Sequence, residues 1–331
     1  MVLRPDIELW ARDVLNYAAT THREPVFEET GVDIAGLTIG VVCTPDQTAM
    51  FTRAFLPAPF GVGPTVARVV VSDSLPGELW KASPIRYGDI DGRGGVVGSE
   101  TGDIAVAWNS GQFILSIMNR RTETVVYAKD CGFHASEVGG PLRTPLHWLV
   151  NESGNAFLHA AAVVADEKAV LVAGPSGAGK STFSTKALQA GLSIVGDDYV
   201  VMAMESAGPV AMPSYRTVKS KDVGALPGGG AEFDLANGKR ARLIDDEFLA
   251  TKAPVVAIVV VDAEGPMIPE RIEGAVAARI LATSTALQVP LYADHTMRMV
   301  SALASQVPCF RVGWLESPES TRRVVEELVT Q

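Results

Sequence analysis

Several things are scarce in this chain of 331 residues, and each scarcity closes a class of explanation. No apolar run reaches 18 residues, which argues against a membrane-spanning helix, and the opening Met1–Glu8 holds no apolar signal core. Cysteine is limited to Cys43, Cys131 and Cys309. They are odd in number, far apart and without metal-ligand spacing. That predicts reduced thiols and a cytoplasmic location, with no disulfide framework and no structural metal. Positive charge is short in both halves: residues 1–140 carry 11 Lys/Arg against 17 Asp/Glu, and 141–331 carry 17 against 21, for a net charge of −10. With no Lys/Arg cluster, neither nucleic acid nor a membrane surface is an expected partner.

What is present is concentrated in Leu171-Val-Ala-Gly-Pro-Ser-Gly-Ala-Gly-Lys-Ser-Thr182, a complete Gly-x-x-x-x-Gly-Lys-Ser motif from Gly174 to Ser181. An apolar, strand-like run (169–173) enters it and a helical run (182–190) leaves it, the context a phosphate-binding loop requires. Gly174, Ser176, Gly177, Ala178 and Gly179 would turn backbone N–H groups toward phosphate oxygens. Lys180 adds a full charge, the Ser181 hydroxyl can ligate Mg²⁺, and Ser181 and Thr182 open the helix. The motif predicts binding of a nucleoside triphosphate.

The length suggests two domains. Residues 6–19 have helical spacing, and from about 32 to 128 short apolar runs (37–43, 67–71, 104–108, 112–118) alternate with Gly/Pro/Asp/Asn turns, predicting an antiparallel β-rich region. The segments 91–95 and 109–111 read as hairpin connections. His22 and His134 are lone histidines with no surrounding constellation. Gly139-Gly140-Pro141 is a reasonable boundary, giving a β-rich α+β N-terminal domain over 1–138 and an α/β P-loop domain over 139–331, with a helix expected at 146–152.

Around the loop, Phe157–Val164 and the P-loop strand flank a short polar connection and read as a β-hairpin centred on Asp166-Glu167. Partners then sum to about 333, which puts His159 opposite Gly174, beside bound phosphates. After the P-loop helix stops at Ala190-Gly191, a short strand (192–196) runs into Asp197-Asp198. Ligands in open α/β sheets lie beyond the carboxyl ends of strands, and neighbouring strand residues face opposite ways. The two carboxylates are therefore expected to divide roles, one holding Mg²⁺ and one accepting a hydroxyl proton. Arg216 and Lys219 lie three residues apart, which one helical turn would place on the same side as a phosphate clamp; an ordinary surface pair is the other reading. Gly224–Gly230 is either a linker or a mobile lid. The buried-strand run 253–261 ends at Asp262, with Glu264 two residues on, a rival acidic site. Helices at 274–287 and 296–305, a strand at 309–314 and a last helix from Pro318, capped by Ser317, complete the pattern.

A His-bearing strand, a hairpin, Gly-Pro-Ser-Gly-Ala-Gly-Lys-Ser-Thr, a helix ending in Ala-Gly and then Ile-Val-Gly-Asp-Asp together resemble the HPr serine kinase/phosphorylase superfamily. Residues 140–331, including Val307–Val312, carry the resemblance. It implies a phosphoenolpyruvate-carboxykinase-like P-loop fold, ATP and Mg²⁺ as cofactors, and a homo-oligomer as one assembly state. Residue by residue it implies Lys180 on the β/γ-phosphates and Ser181 on Mg²⁺. Asp198 becomes the proton acceptor, Asp197 a support for the metal, and His159 the active-site histidine, with Arg216 and Lys219 resembling an Arg/Lys pair. Thr182 stands where the HPr kinases have Glu, and no Glu-Ile-Arg-Gly-type signature lies between Asp198 and Asp262, which argues against HPr as the substrate and against a reverse phosphorylase reaction. The expected function is an ATP-dependent kinase acting on a serine-like hydroxyl of a protein, peptide or small metabolite. The alternatives are a P-loop ATPase and a nucleotide-responsive binding module.

Overall fold

Short turns that force positive φ and apolar runs that follow them account for much of the architecture. The computed structural model describes residues 3–21, 26–57, 65–72, 75–85, 98–99, 101–109, 114–129, 135–221, 226–235, 238–288 and 291–331. These fall into two units. One comprises Met1–Glu137, Pro141–Leu149 and Val289–Tyr292; the other comprises Val138–Gly140, Val150–Gln288 and Ala293–Gln331.

In the first unit, α1 (Pro5–Thr21) buries Ile7, Trp10, Ala11, Val14, Leu15 and Ala18, a stripe at the 3- and 4-residue spacing of one helix face. That stripe packs on Val42, Val70, Val106, Leu115, Ile117 and Val126 of the sheet. The strands are β1 (Glu28–Ile34), β2 (Leu37–Cys43), β3 (Leu56–Pro57), β4 (Ala67–Ser72), β5 (Ile104–Asn109), β6 (Ile114–Asn119) and β7 (Thr124–Lys129), in spatial order β3-β1-β2-β4-β7-β6-β5. Ala35 and Gly36, at φ 54° and 82°, form the two-residue turn that closes the β1–β2 hairpin. The sheet is not antiparallel throughout, as the turn signals had implied: β2 pairs parallel with β4, and β4 with β7. Parallel pairing needs a crossover rather than a tight turn. The chain makes the first through α2 (Pro45–Thr52), so no local turn signal announces it. The predicted connection at 91–95 and residues 110–113 between β5 and β6 lie outside the described residues, as do His22, Cys131 and His134.

After the short α3 (Gly77–Lys81) of the first unit, α4 (Arg143–Glu152) contains residues of both units. The second unit contains β8 (Ala156–Leu158), β9 (Ala161–Ala165), β10 (Lys168–Ala173), α5 (Lys180–Gln189), β11 (Ser193–Gly196), β12 (Val200–Glu205), β13 (Gly208–Pro213), β14 (Thr217–Ser220), β15 (Glu232–Asp234), β16 (Arg240–Leu243), β17 (Ala253–Val261), β18 (Glu270–Ile272), α6 (Gly274–Ala286), α7 (Ala293–Gln306), β19 (Cys309–Val312) and α8 (Pro318–Thr330). Nine strands form one sheet, in the order β11-β9-β10-β17-β13-β12-β8, with β19 paired to β17 and β18; β14, β16 and β15 form a small second sheet. The unit is a mixed α/β structure with more than one sheet.

Asp166 and Glu167, at φ 47° and 61°, close the β9–β10 hairpin, and its partners do sum to 333, from Ala165–Lys168 to Ala161–Val172. The run Phe157–Val164 is not one strand, however. β8 pairs with β12, and the chain crosses at His159-Ala160 before β9 begins at Ala161. Strand β10 is buried over five consecutive residues, the pattern of a strand covered on both faces. α6 and α7 share a core with Ala169, Leu171 and Ala173, and α5 and α8 pack nearby against β9 and β10. The capping box of α8 joins Ser317 and Ser320 reciprocally. Among the described residues no helix is long and apolar enough to cross a membrane.

The direction of the strands is what places the chemistry. β11 and β10 both run antiparallel to β9, and β10, β17 and β19 run parallel to one another. All four therefore deliver their carboxyl ends to one edge of the sheet. Because β9 runs the other way, its start, with His159 just before it, lies at that same edge.

The turn at Asp166-Glu167 holds two non-glycine residues in the left-handed region, where each side chain is disfavoured. Replacing them together (Asp166→Asn and Glu167→Gly) is expected to raise the unfolding free energy by about 1 kcal/mol. Chemical denaturation followed by far-ultraviolet circular dichroism checks this; a loss of stability would contradict the turn assignment.

Candidate functional site

Strand β10 ends at Ala173, residues 174–179 form the loop, and α5 starts at Lys180. Gly179 takes φ 111°, and a Cβ there would lie 3.0 Å from the Trp314 indole nitrogen, so glycine is required on both counts. Ser176 and Thr182 are exposed and Ser181 is half-buried. The Lys180 side chain is folded inward at 6% exposure, donating to the carbonyls of Gly174 at 2.8 Å and Pro175 at 3.3 Å. Burial lowers its pKa, while the charges of Asp198 and Asp197 act in the opposite direction. Lys180 forms no ion pair among the described residues. A buried ammonium held only by carbonyls is matched to an anion.

The two carboxylates at the end of β11 have opposite electrostatics. Asp197 is 2% exposed. Its Oδ2 accepts the Lys219 backbone N–H at 3.0 Å, and its Oδ1 has no hydrogen-bond partner, the neighbouring Ser184 hydroxyl being turned to the Lys180 carbonyl. Burial raises the Asp197 pKa to about 6, against the lowering effect of the Lys219 N–H. Asp198 pairs through Oδ2 with Lys219 Nζ at 2.8 Å and through Oδ1 with His159 Nε2 at 3.3 Å. Burial pushes its pKa upward too, but the Lys219 ammonium and the His159 hydrogen bond and charge outweigh it. They hold the group well below the usual carboxylate range. Adjacent aspartates are thus driven apart by their environments.

His159 is fixed from three sides. Its backbone N–H donates to Thr285 Oγ1 at 3.0 Å, its Nδ1 lies 2.9 Å from Ser284 Oγ, and its ring rests 5.2 Å from that of Tyr199. Ser284 Oγ in turn donates to the Gly174 carbonyl at 3.1 Å. Because that carbonyl can only accept, it takes the serine proton, which makes Nδ1 the donor to Ser284; a hydrogen bond from Nε2 to Asp198 then needs a proton on that nitrogen as well. A continuous polar chain, Asp198–His159–Ser284–Gly174, joins the carboxylate to the first residue of the phosphate loop. Lys219 reaches Asp198 because nothing obstructs it. A Cβ on Gly140 would lie 2.9 Å from its Nζ, and one on Gly139 would lie 3.2 Å from its Cε.

The clamp expected from Arg216 and Lys219 has a different construction. The segment is strand β14 rather than a helical turn, so spacing of three does not align the side chains. Arg216 turns to Asp246 at 3.1 Å and to the Ile244 carbonyl, while Lys219 alone engages Asp198. Of the glycine-rich segment, residues 222–225 lie outside the described residues. Leu226 to Gly229 are held by Arg242, which donates to the Leu226 and Gly228 carbonyls, and by Asp245, which accepts the Gly229 N–H. Asp262 does follow the strand beside β10, yet its Oδ2 lies 3.0 Å from Arg311 Nε and its Oδ1 accepts the Glu264 N–H. Cys43 and Cys309 are buried and free. Ser284, Thr285, Tyr199 and the Gly139-Gly140 pair were missed in the sequence. The one signal was the hydroxyl run Thr283-Ser-Thr285, out of place on a helix that is otherwise mostly small and apolar.

Among the described residues no group of three or more His, Cys, Asp or Glu could hold a metal ion by itself. A magnesium ion that arrives with phosphates needs only one or two carboxylates from the protein. Asp197 Oδ1, buried and unpartnered, and the Ser181 hydroxyl at the start of α5 are of the right chemistry, so the residues fit Mg²⁺ carried by a nucleotide.

No protein-family model matches the chain, and no curated protein matches it in sequence. Among solved structures it is similar to the Hpr(Ser) kinase/phosphatase from Coxiella burnetii, at 14% identity and a TM-score of 0.29, over 53% of this chain and 93% of that one. A likeness of that extent decides no chemistry.

The raised Asp197 pKa has a testable consequence for stability. The native state keeps a proton that the unfolded chain releases between about pH 4 and pH 6, so this group's contribution to stability falls as pH rises through that window and is constant above it. The total is on the order of 3 kcal/mol. The stability difference between the parent and Asp197→Asn, measured by denaturation in metal-free buffer, should shift against the parent across this window. A difference independent of pH would refute the assignment.

Proposed function

We propose that the chain is an ATP-dependent kinase, transferring the γ-phosphate to a hydroxyl of a protein, peptide or small metabolite. The observation that carries this reading is Asp198: a partly buried carboxylate fixed between an ammonium and an imidazole, at the sheet edge that also carries the phosphate loop. A loop for nucleotide alone needs no such group. A transferase does, because the acceptor oxygen must lose its proton as it bonds to phosphorus and the bridging β–γ bond breaks.

Each side chain then has a task. Lys180 and the α5 N-terminus neutralise phosphate charge, with the lysine exchanging its loop carbonyls for the anion. Ser181 and Asp197, with Asp198 beside them, are the residues that would hold Mg²⁺, which when bound spreads charge away from the transferring group. Asp198 takes the hydroxyl proton. A carboxylate held far below neutrality is a weak base, which suits a loose phosphoryl transition state in which the proton leaves late. His159 keeps Asp198 oriented, and Lys219 keeps it ionised until the acceptor displaces part of that contact. The acidic chain with reduced thiols fits the cytoplasm.

Asp198→Asn preserves shape and removes the proton acceptor. With γ-labelled ATP and lysate separated into small-molecule and macromolecular pools, transfer should fall by roughly 100-fold or more while ATP affinity stays within about threefold. Equal loss of binding and transfer would make Asp198 a metal ligand only and overturn its role as the base. Release of free phosphate by the parent, with neither pool labelled, would overturn the kinase reading.

A further inference from the structure

Trp314 is the only tryptophan of the second unit, and 59% of it is exposed. A lone exposed aromatic needs no explanation by itself, but this one is held in place from several directions. Its indole N–H donates to the carbonyl of Ala178, inside the phosphate loop, at 2.9 Å. Gly179 lies directly beneath it, leaving room for the ring only because it lacks a side chain. The preceding Gly313 is packed against the backbone oxygens of Gly265 and Pro266, and its N–H donates to Pro266 at 2.6 Å. On the following side, Lys186 Nζ holds the carbonyls of Leu315 and Glu316. The indole is thus a fixed plate, more than half of it exposed.

That plate borders a small, open cleft lined by Gly179, Thr182, Phe183, Val261, Trp314 and Leu315. Its position in the sheet is equally specific. The two edges of β10 pair with β9 and with β17; β11, bearing Asp197-Asp198, lies beyond β9, and β19, leading to Trp314, pairs with the other edge of β17. The phosphate loop therefore has the carboxylates on one side and the tryptophan cleft on the other.

We propose that the exposed Trp314 face beside this cleft is the base subsite of the nucleotide, with the heterocycle stacked on the indole. The assignment rests on the nucleotide-binding reading above and extends it to the part of the ligand that the phosphate loop does not touch. A rigid aromatic face binds a heterocycle at small entropic cost, and every base has a π-face to offer it. The indole N–H bond to Ala178 fixes this plate to the same loop that would hold the phosphates, so base and phosphate sites move as one piece.

Calorimetric titration of the intact chain with Mg·ATP and with Mg·tripolyphosphate, which has no base, tests this. For Trp314→Ala, ATP affinity should fall roughly tenfold or more, and tripolyphosphate affinity should stay within about twofold. Trp314→Phe, which keeps a stacking ring but no indole N–H, should retain ATP affinity within about threefold of the parent. Equal weakening of both ligands by Trp314→Ala would show that the indole only props the loop, and an unchanged ATP affinity would show that no base stacks there; either overturns the proposal. A Phe variant as impaired for ATP as the Ala variant would also overturn it. If the parent binds tripolyphosphate but ATP no more tightly, the base subsite alone falls. If the parent binds neither, the nucleotide reading itself falls.

Discussion

A carboxylate taken largely out of water stays ionised only when opposite charge and hydrogen bonds replace its hydration, and here everything near the site is arranged around that demand at Asp198. Lys219 and His159 supply the compensation at 2.8 and 3.3 Å. Each of those partners needs its own support. The lysine arrives on β14 and needs two residues without side chains, Gly139 and Gly140, to pass. The imidazole needs Ser284 and Thr285 from α6 to hold its ring and backbone. Removing any of these would leave a buried charge short of a partner, which costs more than the pair contributes when intact.

The neighbouring Asp197 shows the same physics with the opposite outcome. Full burial with one backbone N–H as partner leaves its charge undercompensated, so its pKa rises to about 6 and one oxygen remains open. Two identical residues in sequence become a stable anion and a carboxyl with a raised pKa. The alternation of side chains past a strand end is enough to separate their environments. The Ser284 link then connects this electrostatic arrangement to the phosphate loop itself, through the Gly174 carbonyl.

A single sheet edge collects all of this because β11, β10, β17 and β19 share a direction. The glycine-rich loop, the carboxylates and Trp314 are carried on separate strands, so they are spaced along this edge more widely than any one loop could span. Lys180, the first residue of α5, carries the full charge that directly follows the loop. Its burial without an ion pair, among the described residues, leaves an unmet preference for an anion at the centre of that edge.

Much of this was legible locally. The phosphate loop, the Asp166-Glu167 turn, the Asp197-Asp198 pair at a strand end and the Ser317 cap are set by glycine freedom, turn geometry, strand alternation and capping, all of which act within a few residues. The parallel pairs in the first unit were not legible, because crossovers leave no turn signal, and Arg216 and Lys219 were misjudged because a strand replaced the helical turn. Nor could local pattern show that His159 leaves its strand, that Lys219 alone reaches Asp198, or that Ser284, Gly140 and Trp314 matter. Those residues lie 21 to 136 positions from the groups they serve. The sequence by itself determined which chemical groups were available and where backbone turns, caps and strand ends fell. Only the tertiary structure decided which groups share a low-dielectric neighbourhood, and ionisation, tautomer and ligand preference depend on that sharing.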